Sequence, residues 1–431
     1  MFREFDYDNK PVVEIVNEII EDAIKKGVSD IHFDPAEKGI NVRIRIDGEL
    51  HDYCKIPDSV KKNLTTRVKI ISGMNITESR LPQDGAIKRL DDGKQLDLRV
   101  SSLPTIHGEK IVIRILDYSM SLAGLETLGF SDANYEKVKT ALTAPNGIIL
   151  VTGATGSGKS TTVYSMLQLL NTPETNIITV EDPVEMKMKG LNQVQVMSEI
   201  GLDFNTTLRS ILRQDPDTIM IGEIRDDETA RIAVRASITG HLVLSTIHTN
   251  NSLNTIERLL DMDVERYLLG SALTAIISQR LVKKLCPKCR KSRPTTAYEK
   301  NLFKKVLDID VPAIYEAVGC DECFNGYRGR AALHEVLLLN QDIRDAIINN
   351  VRKDELRNLV YNKDSTRTLL EDGLMKVING TSTIEEIVKV IDLDTDFGSD
   401  DVEIRNAFLG KEIEKDEENL KKEQSQIIDS L

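Results

Sequence analysis

Gly147-Ile148-Ile149-Leu150-Val151-Thr152 runs straight into Gly153-Ala154-Thr155-Gly156-Ser157-Gly158-Lys159-Ser160. The first six residues are short, apolar and β-branched, and apolar positions from Thr161 to Leu170 recur at helical spacing. The order is therefore strand, glycine loop, helix. The loop fits G-x-x-x-x-G-K-[ST], in which glycines let successive backbone N–H groups turn inward on phosphate oxygens and the helix N-terminus adds its positive dipole end. In such a loop Lys159 reaches the β- and γ-phosphates, Ser160 holds Mg²⁺ and Thr161 opens the helix. The strand before and the helix after separate this reading from a glycine-rich turn that merely contains a lysine.

Downstream, strands and helices alternate. Strands are expected at 176–180, 218–221 and 242–247, and helices at 205–214, 227–239, 250–260 and 264–280. Fully apolar strands in alternation with helices imply an α/β fold with a parallel sheet covered on both faces. Ligands of such sheets sit beyond the carboxyl ends of the strands. Those ends read Glu181-Asp182-Pro183-Val184-Glu185, Gly222-Glu223-Ile224-Arg225-Asp226 and His248-Thr249-Asn250. Carboxylates placed there can bind Mg²⁺ and one can orient the attacking water. The second strand ends in Gly222-Glu223 without an aspartate for the metal, so Glu223 must serve on the metal side or the water side. Any one of these acids could instead be a turn or cap residue, a reading that suits Asp182 before Pro183.

Upstream, apolar positions between 12 and 26 mark an amphipathic helix stopped by Gly27. Ile40 to Glu49 alternates strictly and contains an Asp47-Gly48 hairpin turn, a second helix covers 59–72, and a second hairpin turns within 88–94. Arg43, Arg45, Arg99 and Arg114 recur on one strand phase, with Arg80 in a loop. Such arginines are either a solvated face or a cationic wall suited to phosphate oxygens. The sequence also places Cys286 and Cys289, then Cys320 and Cys323, as two C-x-x-C pairs, the pattern of a tetrahedral Cys₄ zinc site. Cys54 has no partner nearby and reads as a half-buried strand residue.

The totals exclude several classes. A chain of 431 residues implies two or three domains. No apolar run approaches the roughly 18 residues that span a bilayer, and the start Met1-Phe2-Arg3-Glu4 is no secretory signal, so a cytosolic chain is expected. The net charge is −13, but residues 392–431 hold 13 acidic and 5 basic residues and account for −8 of it. No Lys/Arg run with interleaved aromatics appears and tryptophan is absent, so no direct nucleic-acid binding is expected.

The loop at Gly153–Thr161, Thr179 to Glu185, Leu212-Arg213-Gln214-Asp215-Pro216-Asp217, Ile221 to Asp226, and Thr239-Gly240-His241 through His248-Thr249-Asn250 resemble the secretion ATPase superfamily of type II secretion and type IV pilus assembly. The likeness runs from about Val12 to Val390. Arg80 to Gly85, Leu98 to Ser101 and Gly108-Glu109-Lys110 are similar to that family's second N-terminal domain, and Glu371-Asp372-Gly373 to its C-terminal helices. The resemblance implies a RecA-like P-loop ATPase core, a smaller α/β N-terminal domain before it, and a zinc module with helices after it. It implies this layout: N-terminal domain 1–118, linker 119–132, ATPase domain 133–282, Cys₄ module 283–335, C-terminal helices 336–391 and an acidic tail 392–431 expected to be disordered but for one charged helix.

It also implies a homohexameric motor that hydrolyses ATP with Mg²⁺ and works at the cytosolic face of the inner membrane on a polytopic platform protein, extruding pilin or pseudopilin subunits. Lys159 and Ser160 would bind phosphate and Mg²⁺. Glu181 and Glu185 would form an acidic box, Glu223 would polarise water, His241 and His248 would sense the γ-phosphate, and Arg99 and Arg114 would close over it, with Arg80 a further candidate. The Zn²⁺ module favours assembly over retraction. Rival readings are a nucleic-acid translocase, which needs a basic pore, and a nucleotide-binding regulator without turnover, which would have no use for intact acids.

Overall fold

Pro11, with φ −59°, leads into α1 (Val12–Lys25), whose buried stripe Ile15, Val16, Ile19, Ile20 and Ala23 follows the helical period read from the sequence. Gly27 ends it in the left-handed region, and Val28 N–H returns to the Ala23 carbonyl at 3.0 Å. In this computed structural model the described residues are 5–7, 9–91, 94–116, 124–361, 366–392, 396–397 and 401–409. They fall in two units, Met1–Met120 and Ser121–Leu431.

In the first unit, β1 (Asp30–Pro35), β2 (Ile40–Ile46), β3 (Glu49–Ile56), α2 (Asp58–Ile71), β4 (Gln83–Asp91), β5 (Lys94–Thr105) and β6 (Gly108–Leu116) follow α1. The sheet runs β3-β2-β1-β6-β5-β4 with every pair antiparallel. Asp47 and Gly48 both take positive φ, at 49° and 93°, as a two-residue hairpin requires. The turn of the second hairpin, at Asp92 and Gly93, lies outside the described residues. Cys54 is fully buried on β3, not half-buried as expected.

In the second unit Ser131 caps α3 (Asp132–Leu142). Then come β7 (Gly147–Thr152), α4 (Lys159–Leu170), β8 (Ile177–Glu181), β9 (Asn192–Gln195), α5 (Phe204–Ile211), β10 (Thr218–Ile221), α6 (Asp227–Ile238), β11 (Leu242–Ile247), α7 (Ser252–Asp261) and α8 (Arg266–Ala272). They are followed by β12 (Leu273–Leu285), β13 (Lys291–Pro294), α9 (Ala297–Leu307), β14 (Ala313–Glu316), β15 (Tyr327–Leu338), α10 (Gln341–Ile348), α11 (Lys353–Val360), α12 (Leu369–Ile378), α13 (Ile384–Val388) and α14 (Val402–Phe408). The sheet order is β15-β12-β7-β11-β10-β8-β9. All neighbours are parallel except β12 and β15. The core is thus mixed, a parallel RecA-like sheet with an antiparallel edge.

The helix expected over 264–280 is the main correction. Only α8 is helical there, and Leu273 begins a strand of 13 residues. That stretch carries Thr274, Ile276, Ile277 and Val282, and pairing with β7 on one side and β15 on the other overrides its helical spacing. β12 therefore crosses the expected 282/283 boundary, and the cysteine module grows from the loops beyond the β12–β15 pair. The expected helix at 205–214 is shorter, ending at Ile211. In the acidic C-terminal segment α14 is formed, with Ala407 and Phe408 buried against Leu302 and Phe303, while 410–431 lie outside the described residues.

Candidate nucleotide site and metal centre

Register brings the carboxyl ends of the parallel strands level, with Thr152 opposite Ile247, Ser245 opposite Ile221 and Ile221 opposite Val180. Whatever follows each strand therefore meets at one edge. A cavity of about 580 Å³ opens there, lined by Thr155, Gly156, Gly158, Lys159, Ser160 and Thr161 on one wall and by Glu181, Asp182, Glu185, Glu223, Arg225 and His248 around it.

The loop has the backbone that its glycines permit. Gly153, Gly156 and Gly158 have φ of 149°, 79° and 89°, and a Cβ at Gly153 would come within 2.4 Å of the Gln279 carbonyl oxygen. Ala154 and Thr155 are exposed at the tip, Ser157 is buried, and Ser160 is exposed. Lys159 is buried, and its ammonium donates to the carbonyls of Gly153 at 2.8 Å and Ala154 at 3.1 Å. Burial pushes its pKa down, opposed by the charge of Glu223. A cationic side chain among glycine amides at a helix start suits a polyphosphate, and the Ser160 hydroxyl and Glu223 carboxylate are hard oxygen donors suited to Mg²⁺.

Glu223, one residue past Gly222 at the end of β10, pairs with Arg225 and lies 3.3 Å from His248 Nε2. Burial pushes its carboxyl up, but the Arg225 hydrogen bond with the charges of Arg225, His248 and Lys159 outweighs burial and holds it below its ordinary value. It is an ionised acceptor that faces the cleft. Glu181 is only 3% exposed and already engaged, accepting from Thr179 Oγ1 at 2.6 Å, from Gln193 Nε2 at 3.1 Å and from the Tyr164 hydroxyl. Those bonds fix it in the acidic wall, which Glu185 also lines.

The two histidines separate. His248 follows β11 and enters the cleft, whereas His241 precedes β11 at the opposite sheet edge, where its Nδ1 lies 2.8 Å from the Ala236 carbonyl at the end of α6. Within this chain a six-residue strand divides the two by about 20 Å. On the first unit's sheet, Arg99 and Arg114 are direct cross-strand partners. Arg114 Nε also donates to Asp30 at 2.9 Å. Arg80 is highly exposed and held by Glu78 at 2.8 Å.

Sequence reasoning missed Leu281 and Arg330 in the lining, Tyr164 beneath Glu181, and Gln279 behind the loop. Both Gln279, inside the helix expected over 264–280, and Leu281, just past it, lie on β12. Only its β-branched residues could have signalled them.

Cys286, Cys289, Cys320 and Cys323 converge, with all four sulfurs within 4.8 Å of one another. Three of the spacings are 3.9 Å for Cys286–Cys320, 3.6 Å for Cys289–Cys323 and 3.5 Å for Cys320–Cys323. Tetrahedral zinc with bonds near 2.3 Å needs edges of about 3.8 Å, so the thiolates fit that ion.

Comparison with known proteins accords with this geometry. The family described as "Type II/IV secretion system protein" matches residues 6–389. The putative type II secretion system protein E of Escherichia coli (strain K12) is 45% identical over 381 residues, covering 88% of this chain and 77% of that protein. The type IV pilus assembly ATPase PilB of Myxococcus xanthus is 46% identical over 390 residues, covering 88% of this chain and 68% of that one. Among solved structures, the pilus retraction motor PilT with bound ADP aligns with a TM-score of 0.60 at 28% identity, over 87% of this chain and 96% of that one. The ATPase DotB of Legionella pneumophila reaches 0.67 at 22% identity over 89% and 97%, a likeness of fold. The chain belongs to the type II/IV secretion system protein family and, with this cleft at its strand ends, is an ATP hydrolase of the secretion and pilus-assembly kind.

Proposed function

We propose that the chain is the homohexameric motor of a pilus-assembly or type II secretion system, coupling ATP hydrolysis to extrusion of pilin-like subunits through a membrane platform protein. The observation that carries the chemistry is the ionised Glu223, held between Arg225 and His248 in the same cavity as Lys159. Lys159 and the loop amides hold the β- and γ-phosphates. Ser160 would hold Mg²⁺, which when bound neutralises charge on the phosphates. Glu223 takes the hydrogen bond of the attacking water and orients it in line with the γ-phosphate, with Glu185 as the second acid. His248 reports γ-phosphate to the loop after β11, and the motif resemblance assigns Arg99 and Arg114 to the same phosphate.

The four thiolates would hold Zn²⁺, and that module supports assembly over retraction. Among the described residues no helix is long and apolar enough to cross a membrane; the family resemblance implies attachment at the cytosolic face through partners. Phosphate release by the full chain tests the reading. Lys159→Ala and Glu223→Gln should each lower kcat by roughly 100-fold or more. Wild-type rates in Glu223→Gln would remove it as the water-orienting group, and turnover that depends on DNA would replace the motor with a translocase.

A further inference from the structure

β12 sets Gln279 against the back of the phosphate loop. Its side chain is 1% exposed, its Nε2 donates to the Ser157 carbonyl at 2.6 Å, and its Oε1 accepts from the Thr162 hydroxyl at 2.8 Å. A carbonyl can only accept, so the contact with Ser157 fixes which way round the amide sits, and the Thr162 hydroxyl, free to rotate, supplies the remaining hydrogen. The contact is tight on the glycine side as well. A Cβ at Gly158 would lie 3.0 Å from Gln279 Nε2.

In a trans peptide the C=O and the following N–H point in opposite directions. Holding the Ser157 carbonyl outward on Gln279 therefore turns the Gly158 N–H the other way, toward the cavity that Gly158 lines. Gly158, with φ 89°, has no side chain of its own to resist rotation of that peptide. We propose that Gln279 is a positioning residue for nucleotide binding: by anchoring the Ser157 carbonyl it aims the Gly158 N–H at a phosphate oxygen. Thr162, on the first turn of α4, holds Gln279 in place, so loop, helix and β12 form one rigid bracket around that single donor.

The inference rests on the cleft being the ATP site, and the control is ADP binding by the wild-type full chain. A wild-type chain that bound no ADP would end that reading and this one together. ADP and AMP affinities are measured by titration for wild type, Gln279→Met and Gln279→Glu. Met keeps the length without the donor, while Glu sets a carboxylate oxygen against the Ser157 carbonyl.

One lost donor to a charged phosphate should weaken ADP binding roughly tenfold in Gln279→Met and up to roughly a hundredfold in Gln279→Glu. AMP, which lacks the phosphate seated in the loop, should change by less than about threefold, and KM for ATP should rise far more than kcat falls. The shorter Gln279→Asn, which cannot span to Ser157, should show the same ADP-selective loss and serves if the other two fail to fold. Equal losses for ADP and AMP, or unchanged ADP affinity in a folded variant, would overturn the assignment.

Discussion

Glu223 shows how neighbours decide a side chain's chemistry. With its folded pKa below the ordinary value, the carboxylate stays ionised across neutral pH, and its contribution to activity and stability is lost only as pH falls through that lowered value. Arg225 supplies the largest lowering influence, against burial that pushes upward. Arg225→Met should therefore move the acid limb of the kcat/KM profile to higher pH, measured as a pH–rate profile beside wild type. An unmoved limb would assign it to another group. Glu181 makes the contrast. Its residue type suits catalysis as well as that of Glu223, but Thr179, Gln193 and the Tyr164 phenol, whose pKa burial and the adjacent carboxylate push upward, already engage it.

Among the elements, β12 does more than its sequence suggests. One edge pairs with the strand that delivers the phosphate loop, the other with β15, and both strands lead to the cysteine loops. The Cys₄ cluster thus clamps the far end of the pair that backs the nucleotide site. Removing one ligand should release the metal and loosen that end. For Cys286→Ser we expect zinc to fall from one equivalent per chain to near zero, with increased proteolysis around residues 286–326. Elemental analysis of freshly purified protein checks it, and a wild-type chain without zinc would refute the assignment.

On the scale of the whole molecule, the second unit is closed by its own C-terminal segment, beyond the family match that ends at 389. Arg280 Nη1 meets Asp396 at 2.8 Å with both side chains close to buried, at 11% and 9% exposure. Arg357 holds Asp401 at 2.8 Å. Phe397 and Phe408 pack with ring centroids 5.5 Å apart. Arg280 also donates to the Asn250 carbonyl at 3.2 Å, which joins this strap to the loop that carries His248. Phe408→Ala should cost about 3 kcal/mol through the cavity it leaves. Arg280→Met, which strands a nearly buried carboxylate, should cost about 3 kcal/mol. Thermal and denaturant unfolding measure both, and changes within about 0.5 kcal/mol would mean the segment is a loose tail.

The phosphate loop, the acids after each strand and the paired cysteines were legible in the sequence because each is a short run whose chemistry depends on residues a few positions apart. So was the alternation of strand and helix, since a fully apolar strand and an amphipathic helix each declare their surroundings locally. What the sequence by itself determined, then, is a P-loop α/β ATPase with a Cys₄ module and the roster of groups it could use. Tertiary structure alone decided which of those groups meet. It placed His248 in the cleft and His241 at the far edge, engaged Glu181 while setting Glu223 in the cleft wall, and turned 273–285 into the strand that sets Gln279 behind the loop. The physical reason is that the two pairing partners of the strand that delivers the phosphate loop lie 95 and 126 residues away along the chain, Thr152 facing Ile247 on one side and Ser278 on the other. Local periodicity carries no record of such partners, and their hydrogen bonds and burial outweigh it.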